Sequence, residues 1–171
     1  CSDKIDTQEW LDAHRTAHQA GVRSNVTIMF GSIESPRSWA RHIVATRDLQ
    51  AETGGFTEFV PLPFVHMASP IYLQKRSRRG PTFRESILMH AVGRIAYHGS
   101  IDNIQASWVK LGLGGVRQLL AAGVNDLGGT LINENSIYKS INSGLDINIF
   151  LSLQHCWVNG LQLHRIRLNS N

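Results

Sequence analysis

Helix-type and strand-type segments alternate along the 171 residues of this chain, and this alternation limits the possible folds more than any other feature. Helices are predicted at Thr7–Ala20, from Pro36 to the Gly54-Gly55 pair, from a Thr82 capping box to Gly99, and at about Gly115–Ala122. Strands are predicted at Val22–Phe30, Phe56–Leu62, Ile101–Trp108 and Val124–Leu127. An αβαβαβαβ order implies a parallel sheet with right-handed crossovers, either doubly wound or a (β/α) barrel.

The two faces of the predicted strands help to choose between these folds. In the first and third strands, one face is apolar and carries Val26, Ile28, Phe30, Ile104, Ala106 and Trp108. The opposite face carries Asn25, Thr27, Met29, Gly31, Asn103, Gln105 and Ser107. A doubly wound sheet is covered by helices on both faces and should be apolar on both. An antiparallel sheet with one solvated face gives the same alternation, but the intervening helices favour a barrel whose polar face lines a cavity. Four strands make an incomplete barrel, and we expect the other half on the N-terminal side.

Composition excludes several classes of protein. The net charge is +4, but the basic residues are scattered apart from Lys75, Arg76, Arg78 and Arg79, so we do not expect a nucleic-acid partner. No apolar run is long enough to cross a membrane, and we expect no membrane association. The two cysteines, Cys1 and Cys156, form neither a disulfide framework nor a metal-binding motif, which favours a reducing compartment, cytoplasmic or organellar. The sequence begins with Cys1 and not methionine, so any N-terminal targeting segment would lie outside it, and we expect a fragment or a processed piece.

Six strings, in order along the chain, closely resemble one enzyme family. They are Cys1–Ile5, Ala17–Glu34, Glu52–His66, Gly80–Glu85, Asn103–Gly112 and Asn125–Glu134. The family is FO synthase, in its tyrosine 4-hydroxyphenyl transferase half, a radical S-adenosylmethionine enzyme of deazaflavin biosynthesis. The resemblance implies an α/β fold, the C-terminal half of a radical-SAM (β/α) TIM-type barrel, over residues 1–135. Residues 136–171 do not align with the family, and we expect them to form a divergent, poorly ordered tail.

The resemblance also implies cofactors and substrates. The family uses a [4Fe-4S] cluster and S-adenosyl-L-methionine to generate a 5′-deoxyadenosyl radical that attacks tyrosine. The 4-hydroxyphenyl fragment is then joined to 5-amino-6-(D-ribitylamino)uracil. The cluster cysteines belong to the N-terminal half and are expected upstream of Cys1, so this chain should hold no metal and should be inactive alone. The ring-closing half of FO synthase is an expected partner.

Five residues are predicted to contact S-adenosylmethionine, namely Thr27, Met29, Gly31, Glu34 and Glu58. Glu34 belongs to a G-x-x-E string at a strand end, where a carboxylate can hold a ribose hydroxyl or an ammonium group. The alternative is a charge that stabilises a helix N-terminus. Ser32 stands where the family usually has histidine, which puts a proton-handling role there in doubt. Glu58 lies inside a buried strand, so it must be paired or bound to a polar ligand.

Eight further residues are predicted to bind substrate, namely His66, Asn103, Gln105, Ser107, Lys110, Asp126, Asn133 and Glu134. Polar groups that share one strand face suit a heterocycle or an amino acid. Five of these residues also have a structural alternative. His66 is equally consistent with a packing or capping role, Lys110 with a solvated charge, and Asp126 with a hydrogen bond to the glycine-rich turn. Asn133 and Glu134 are equally consistent with helix capping.

Other functions and motifs are less well supported by the sequence. An aminofutalosine-type radical enzyme of menaquinone synthesis and a non-enzymatic ligand-binding α/β remnant are the alternative functions. His14 and His18 are four residues apart, but Arg15 occupies the position of the zincin glutamate, so we expect packing and not zinc binding. The long loop from Phe64 to Pro81 is either a lid whose basic run closes on an anion or a solvated connection.

Overall fold

Four parallel strands lie side by side in the order in which they occur in the chain. The structure is a computed structural model that describes residues 4–128. The strands are β1 (Ser24–Phe30), β2 (Phe56–Pro63), β3 (Asn103–Ala106) and β4 (Asp126–Leu127). The helices are α1 (Thr7–Gln19), α2 (Pro36–Thr53), α3 (Pro70–Leu73), α4 (Phe83–Ala96) and α5 (Trp108–Ala121). The predicted α/β class with a parallel sheet is confirmed.

Helices α2, α4 and α5 pack against one face of the sheet, and α1 packs on α2. Each crossover moves the chain one strand further in the same direction, and a right-handed crossover then places these three connecting helices on the same side. The hydrophobic core lies between this face and the helices. Its strand residues are Val26, Ile28, Phe30, Phe59, Ile104 and Ala106, and its helix residues include Trp39, Ile43, Leu49, Met89 and Leu119. The predicted alternation of β1 is confirmed, because Asn25, Thr27 and Met29 are exposed on the opposite face.

The helix boundaries follow the capping residues. Asp6 with Glu9 and Thr82 with Glu85 form the reciprocal hydrogen bonds of a capping box at the starts of α1 and α4. Ser35 caps α2, Pro36 occupies its first turn, and the helix ends at Gly54 with a left-handed φ of 62°. Within residues 4–128, no helix combines the length and the apolar character required to cross a bilayer.

Three sequence predictions about secondary structure are wrong. The third strand ends at Ala106, so Ser107 lies at the N-terminal boundary of α5 and Trp108 is its first residue. Helix α5 begins seven positions before the predicted start at Gly115, because a short helical stretch at 108–111 precedes the non-helical residue Gly112 (φ 67°, ψ 166°). The predicted helix corresponds to the part of α5 after this kink. A short apolar run does not by itself distinguish a strand from a buried helix, and here it belongs to the helix. The third difference is helix α3, which lies inside the segment predicted as a long loop.

A buried amide joins α2 to two later segments. The side chain of Gln50 donates from Nε2 to the carbonyl oxygens of Phe56 (3.1 Å) and Ser100 (2.8 Å). Its Oε1 accepts from the Phe56 backbone N–H at 2.8 Å. Gln50 is buried, so these three bonds satisfy polar groups that have little access to water. One side chain thus fixes the start of β2 and the turn before β3.

A second network attaches β4 to the sheet. Arg94 donates to the carbonyl oxygens of Gly123 and Asp102 and to Oδ1 of Asn125, each at 2.7 Å. Asn125 Oδ1 also accepts from the Ile104 backbone N–H at 2.8 Å, and its Nδ2 donates to the Asp102 carbonyl at 3.0 Å. Strand β4 has two residues, so these side-chain bonds add to a short ladder. They determine where Asp126, the next residue, is placed.

We predict that Gln50→Leu lowers the free energy of unfolding by about 3 kcal/mol or more. The replacement leaves the Phe56 N–H and two carbonyl oxygens without their side-chain partner, and each buried unsatisfied group costs about 1–3 kcal/mol. Urea unfolding followed by circular dichroism measures the change. The matched control is Gln19→Leu at an exposed position, expected within about 0.5 kcal/mol of the parent. Equal stabilities for the two variants would contradict the assigned role.

Three buried or partly buried histidines should make the fold sensitive to acid. Burial lowers the pKa of His18, His42 and His90 below the ordinary value of 6.5. Above pH 6.5 both the folded and unfolded states hold these rings neutral. As the pH falls through 6.5, the unfolded state takes up protons first, so the free energy of unfolding decreases until the folded-state pKa values are reached.

We therefore expect urea unfolding to show lower stability at about pH 5 than at about pH 8. His90 has a side chain with no solvent exposure, so His90→Leu should reduce the difference between the two pH values. His98→Leu, at an exposed position just after the same helix, is the control and should leave the difference as it is in the parent. An equal difference in all three proteins would refute the assignment to His90.

Candidate functional site

The face of the sheet opposite the helices carries a row of polar side chains. It crosses all four strands and consists of Asn25, Thr27, Glu58, Asn103, Gln105 and Asp126, here called the polar row. The strand register places Glu58 beside Asn103 and Gln105 beside Asp126. Because paired residues of parallel strands share a face, the register brings these four side chains together. Asn103, Gln105, Asp126, Thr27 and Glu58 were all predicted as site residues.

Hydrogen bonds connect the polar row from β1 to β3. Thr27 Oγ1 donates to Asn25 Oδ1 at 3.3 Å, and Asn25 Nδ2 donates to Glu58 Oε1 at 3.5 Å. Gln105 Nε2 donates to the other carboxylate oxygen, Glu58 Oε2, at 3.0 Å. Glu58 therefore stands at the centre of the row as an acceptor for amide groups from both neighbouring strands.

Asp126 is a buried carboxyl group at one end of the row, with 9% of its surface exposed. Burial raises its pKa above the ordinary range, and the negative charge of Glu58 raises it further, while a hydrogen bond from Gln105 acts in the opposite direction. Asp126 and Glu58 are therefore neighbouring carboxyl groups, and the charge of Glu58 opposes the ionisation of Asp126.

Local sequence places these groups close together. A Cβ atom at Gly128 would lie 2.5 Å from Gln105 Oε1, so a larger residue at that position would push the Gln105 side chain away. Asn125 anchors β4 through the network with Arg94 described above. The sequence analysis identified neither Asn125 nor Arg94. Asn125 lies between buried Val124 and Asp126, and this position at the start of a strand could have marked it as a structural residue. Arg94 has no such signal, because the pattern of α4 does not distinguish it from a solvent-exposed helix residue.

Glu34 has a different environment. Its carboxylate accepts hydrogen bonds from the backbone N–H groups of Gly31, Ser32 and Ile33 and from the Trp39 indole at 3.0 Å. Burial alone would raise the pKa of Glu34, but these hydrogen bonds outweigh it and hold the pKa below its ordinary value. The carboxylate is an anion that closes the turn after β1. Its contact with S-adenosylmethionine remains a prediction.

Gly31 and Met29 complete the end of β1. Met29 lies on the polar face and is 59% exposed. Gly31 has a φ of 91°, and a Cβ atom there would clash with the ring of Pro81. The segment between β2 and α4 therefore packs directly against the Gly31 backbone. The contact of Met29 and Gly31 with S-adenosylmethionine stays a prediction.

The remaining predicted residues lie near the carboxyl ends of β2 and β3. His66 Nδ1 bonds the Arg79 carbonyl oxygen at 2.9 Å, and its ring contacts Tyr72 edge-on at a centroid distance of 4.7 Å. Lys110 lies in the first turn of α5, just after Ser107. Lys110 borders a cavity of about 230 Å³ lined by Pro63, Phe64, Val65, Arg79, Gly80, Pro81, Phe83, Ser86, Lys110 and Leu111. Asn133 and Glu134 fall outside the described residues, as does the predicted tail at 136–171.

The histidine pair of α1 has a packing role. His18 bonds Thr53 Oγ1 at 2.7 Å and Ser24 Oγ at 2.8 Å, and His14 lies against the Trp10 ring at a centroid distance of 3.9 Å. Across residues 4–128, no group of three or more His, Cys, Asp or Glu side chains is arranged to hold a metal ion. The expected packing of His14 and His18 is confirmed.

Comparison with known proteins identifies the family. A family model described as the CofH/MqnC C-terminal region matches residues 53–144. FO synthase from Nocardia farcinica is 51% identical over 131 residues, which are 77% of this chain and 15% of the relative. The same values hold for FO synthase from Mycobacterium tuberculosis strain H37Rv.

A shorter relative comes from Methanopyrus kandleri and is named 5-amino-6-(D-ribitylamino)uracil–L-tyrosine 4-hydroxyphenyl transferase. It is 49% identical over 135 residues, which are 79% of this chain and 37% of the relative. The chain thus spans well under half of the length of the curated relatives it matches. The resemblance drawn from the six strings is confirmed, and the chain belongs to the CofH/MqnC family, whose C-terminal region it matches.

Proposed function

We propose that this chain is the C-terminal part of a radical S-adenosylmethionine enzyme that joins the 4-hydroxyphenyl group of tyrosine to 5-amino-6-(D-ribitylamino)uracil. The observation that carries this proposal is the hydrogen-bonded group of Glu58, Gln105 and Asp126 on the helix-free face of the sheet. The names of the relatives supply the substrates. Their agreement on FO synthase or on the transferase favours this reaction over aminofutalosine-type chemistry.

The winding of the sheet supports an incomplete (β/α) barrel. In such a barrel the strands follow one another in sequence, the helices form an outer ring, and the inner face points to the axis. The described strands have this order, and the polar row lies on the face opposite the helices, which would be the inner face of such a barrel. We propose that residues 1–135 form this barrel segment and that residues 136–171 are a separate, divergent tail. Further strands would complete the wall of the substrate cavity, and the ring-closing half of FO synthase is the proposed partner.

The [4Fe-4S] cluster and S-adenosylmethionine need different ligand groups from the protein. Residues 4–128 include no cysteine and no set of three metal-ligating side chains, so they do not fit a [4Fe-4S] cluster, which would have to be held by residues elsewhere. S-adenosylmethionine carries hydroxyl and ammonium groups, and the hydroxyl of Thr27 and the carboxylate of Glu58 fit such a ligand. The Glu34 carboxylate already accepts from four groups, so its contribution would be to shape the turn that borders the ligand.

The polar row would bind and orient the substrates. The carboxyl group of Glu58 can accept hydrogen bonds from amino or ammonium groups, and Asp126, which lies beside Gln105, offers a second carboxyl group to the same ligand. Gln105 and Asn103 each offer one donor and one acceptor, which matches the edge of a uracil ring. Holding the two reactants in a fixed orientation away from water is the contribution that the residues of this chain can make.

A chimera tests the proposed reaction. Residues 1–135 of this chain would replace the matching segment of the Methanopyrus kandleri relative. We expect product from tyrosine and 5-amino-6-(D-ribitylamino)uracil, measured by mass spectrometry after reconstitution. Glu58→Gln should lower product formation about tenfold or more, because a hydrogen bond to a charged group contributes about 1.5–3 kcal/mol. Glu52→Gln, on the helix side and paired with Arg15, is the matched control and should change it by less than about twofold.

A folded chimera that binds its cofactors and forms no product would contradict the proposed reaction. Equal activity of the Glu58→Gln and Glu52→Gln chimeras would leave the reaction intact and contradict the role of the polar row. Asp126 offers an independent comparison. Asp126→Asn retains a hydrogen-bond donor and should keep more activity than Asp126→Leu, which retains none. Equal activities of the two variants would contradict a hydrogen-bonding role for the Asp126 side chain.

A further inference from the structure

We propose that Gly128 is a positioning residue that acts through Gln105: the absence of a side chain at position 128 leaves the space in which the Gln105 amide bridges two carboxyl groups of the polar row. These groups belong to Glu58 and Asp126. Gly128 directly follows β4 and was not predicted as a site residue. Its effect on a ligand rests on the function proposed above, whereas its effect on Gln105 does not.

The backbone conformation of Gly128 does not require glycine. Seven glycines of residues 4–128 have a positive φ, and Gly128 is not one of them. Its N–H donates to the Ala106 carbonyl oxygen at 3.4 Å, and an alanine would keep that donor. Alanine is therefore compatible with the local backbone and its hydrogen bond. What glycine provides at this position is space.

The end of the Gln105 side chain occupies that space. Gln105 pairs with Asp126 in the strand register, and residue 128 lies two positions further on, so a side chain there would share the same face. A Cβ atom at Gly128 would lie 2.5 Å from Gln105 Oε1 and 3.0 Å from its Cδ. The three nearest atoms all belong to this one side chain. A methyl group would therefore displace the flexible end of Gln105 and leave the backbone in place.

The orientation of the Gln105 amide is set by Glu58. Nε2 of Gln105 donates to Glu58 Oε2 at 3.0 Å. An ionised carboxylate only accepts hydrogen bonds, so turning the amide over would bring two oxygen atoms together. The amide is rigid, so displacing Oε1 from its place above Gly128 moves Nε2 as well. Glu58 would then keep the longer bond from Asn25 at 3.5 Å, which is weaker.

The same amide acts on Asp126. Burial and the charge of Glu58 raise the pKa of Asp126, and the hydrogen bond from Gln105 lowers it. Displacing Gln105 removes the opposing contribution, so the pKa of Asp126 should rise further. A substitution at Gly128 would thus change two carboxyl groups through a side chain that lies between them.

The test compares the 171-residue chain with its Gly128→Ala and Gly114→Ala variants. A Cβ atom at Gly114 meets no packing neighbour within 4 Å, so the control has the same substitution without the contact. NMR follows the side-chain amide of Gln105 and the carboxyl carbon of Asp126 as the pH changes. Gly128→Ala should shift the amide signal and move the Asp126 titration midpoint to higher pH by at least about 0.3, because a hydrogen bond to the ionised form is lost. Gly114→Ala should leave both as in the parent.

A double-mutant cycle shows whether Gly128 acts through Gln105. Gly128→Ala should have no further effect on the Asp126 midpoint in a chain that already carries Gln105→Ala, because the side chain that transmits the effect is gone. A full effect in that background would overturn the proposal, as would an unchanged Gln105 signal in Gly128→Ala alone. Gly128→Ala should also keep the urea midpoint within about 0.5 M of the parent. Failure of this variant to fold would overturn the proposal, which requires that only the end of Gln105 moves.

The chimera described above measures the consequence for the reaction. Gly128→Ala should lower product formation about fivefold or more, because small displacements of orienting groups slow a reaction strongly, and Gly114→Ala should change it by less than about twofold. Equal product from these two chimeras would overturn the ligand-orienting role of Gly128. A parent chimera without product would contradict the proposed reaction, and the NMR comparison would still decide the positioning role.

Discussion

The direction of winding governs the rest of this structure. Each new strand is added on the same side of the previous one, so the right-handed crossovers place every helix against one face. That face must be apolar because it forms the core, and it consists of Val26, Phe30, Phe59, Ile104 and their neighbours. The other face has no helix from the described region to cover it. Polar and charged side chains are therefore permitted there at no expense to the core, and Glu58 and Asp126 occupy it.

The sequence was sufficient to predict the features that depend on local pattern. Capping residues located the starts of α1, α2 and α4, and strand alternation assigned Asn25, Thr27 and Gln105 to the polar face. Ser107 and Trp108 were wrongly assigned to the third strand, because alternation over a few residues does not distinguish a strand end from a helix start. The non-helical backbone at Gly112, which divides α5, is a single-residue feature with no periodic signal.

The long-range polar contacts could not be predicted from the sequence. Arg94 and Asn125 are separated by 31 positions, and arginine and asparagine are residue types that usually face solvent. Glu34 and Glu58 illustrate the same limit, because both were predicted as ligand contacts. In the structure the Glu34 carboxylate is surrounded by donors from its own turn, while Glu58 accepts from amides on two other strands. Only the three-dimensional arrangement separates a carboxylate that shapes the backbone of its own turn from one that lies on the helix-free face of the sheet.

Gln50 has a consequence for how the described region opens and closes. Its amide belongs to α2, yet it replaces backbone hydrogen bonds at the start of β2 and at the turn before β3. Detaching either strand start alone would leave the Gln50 amide partly unbonded in a buried position. The first two strand–helix units are thereby coupled into one cooperative unit. Hydrogen exchange at the Phe56 amide should consequently follow the slow opening of the sheet and not the fraying of a strand end.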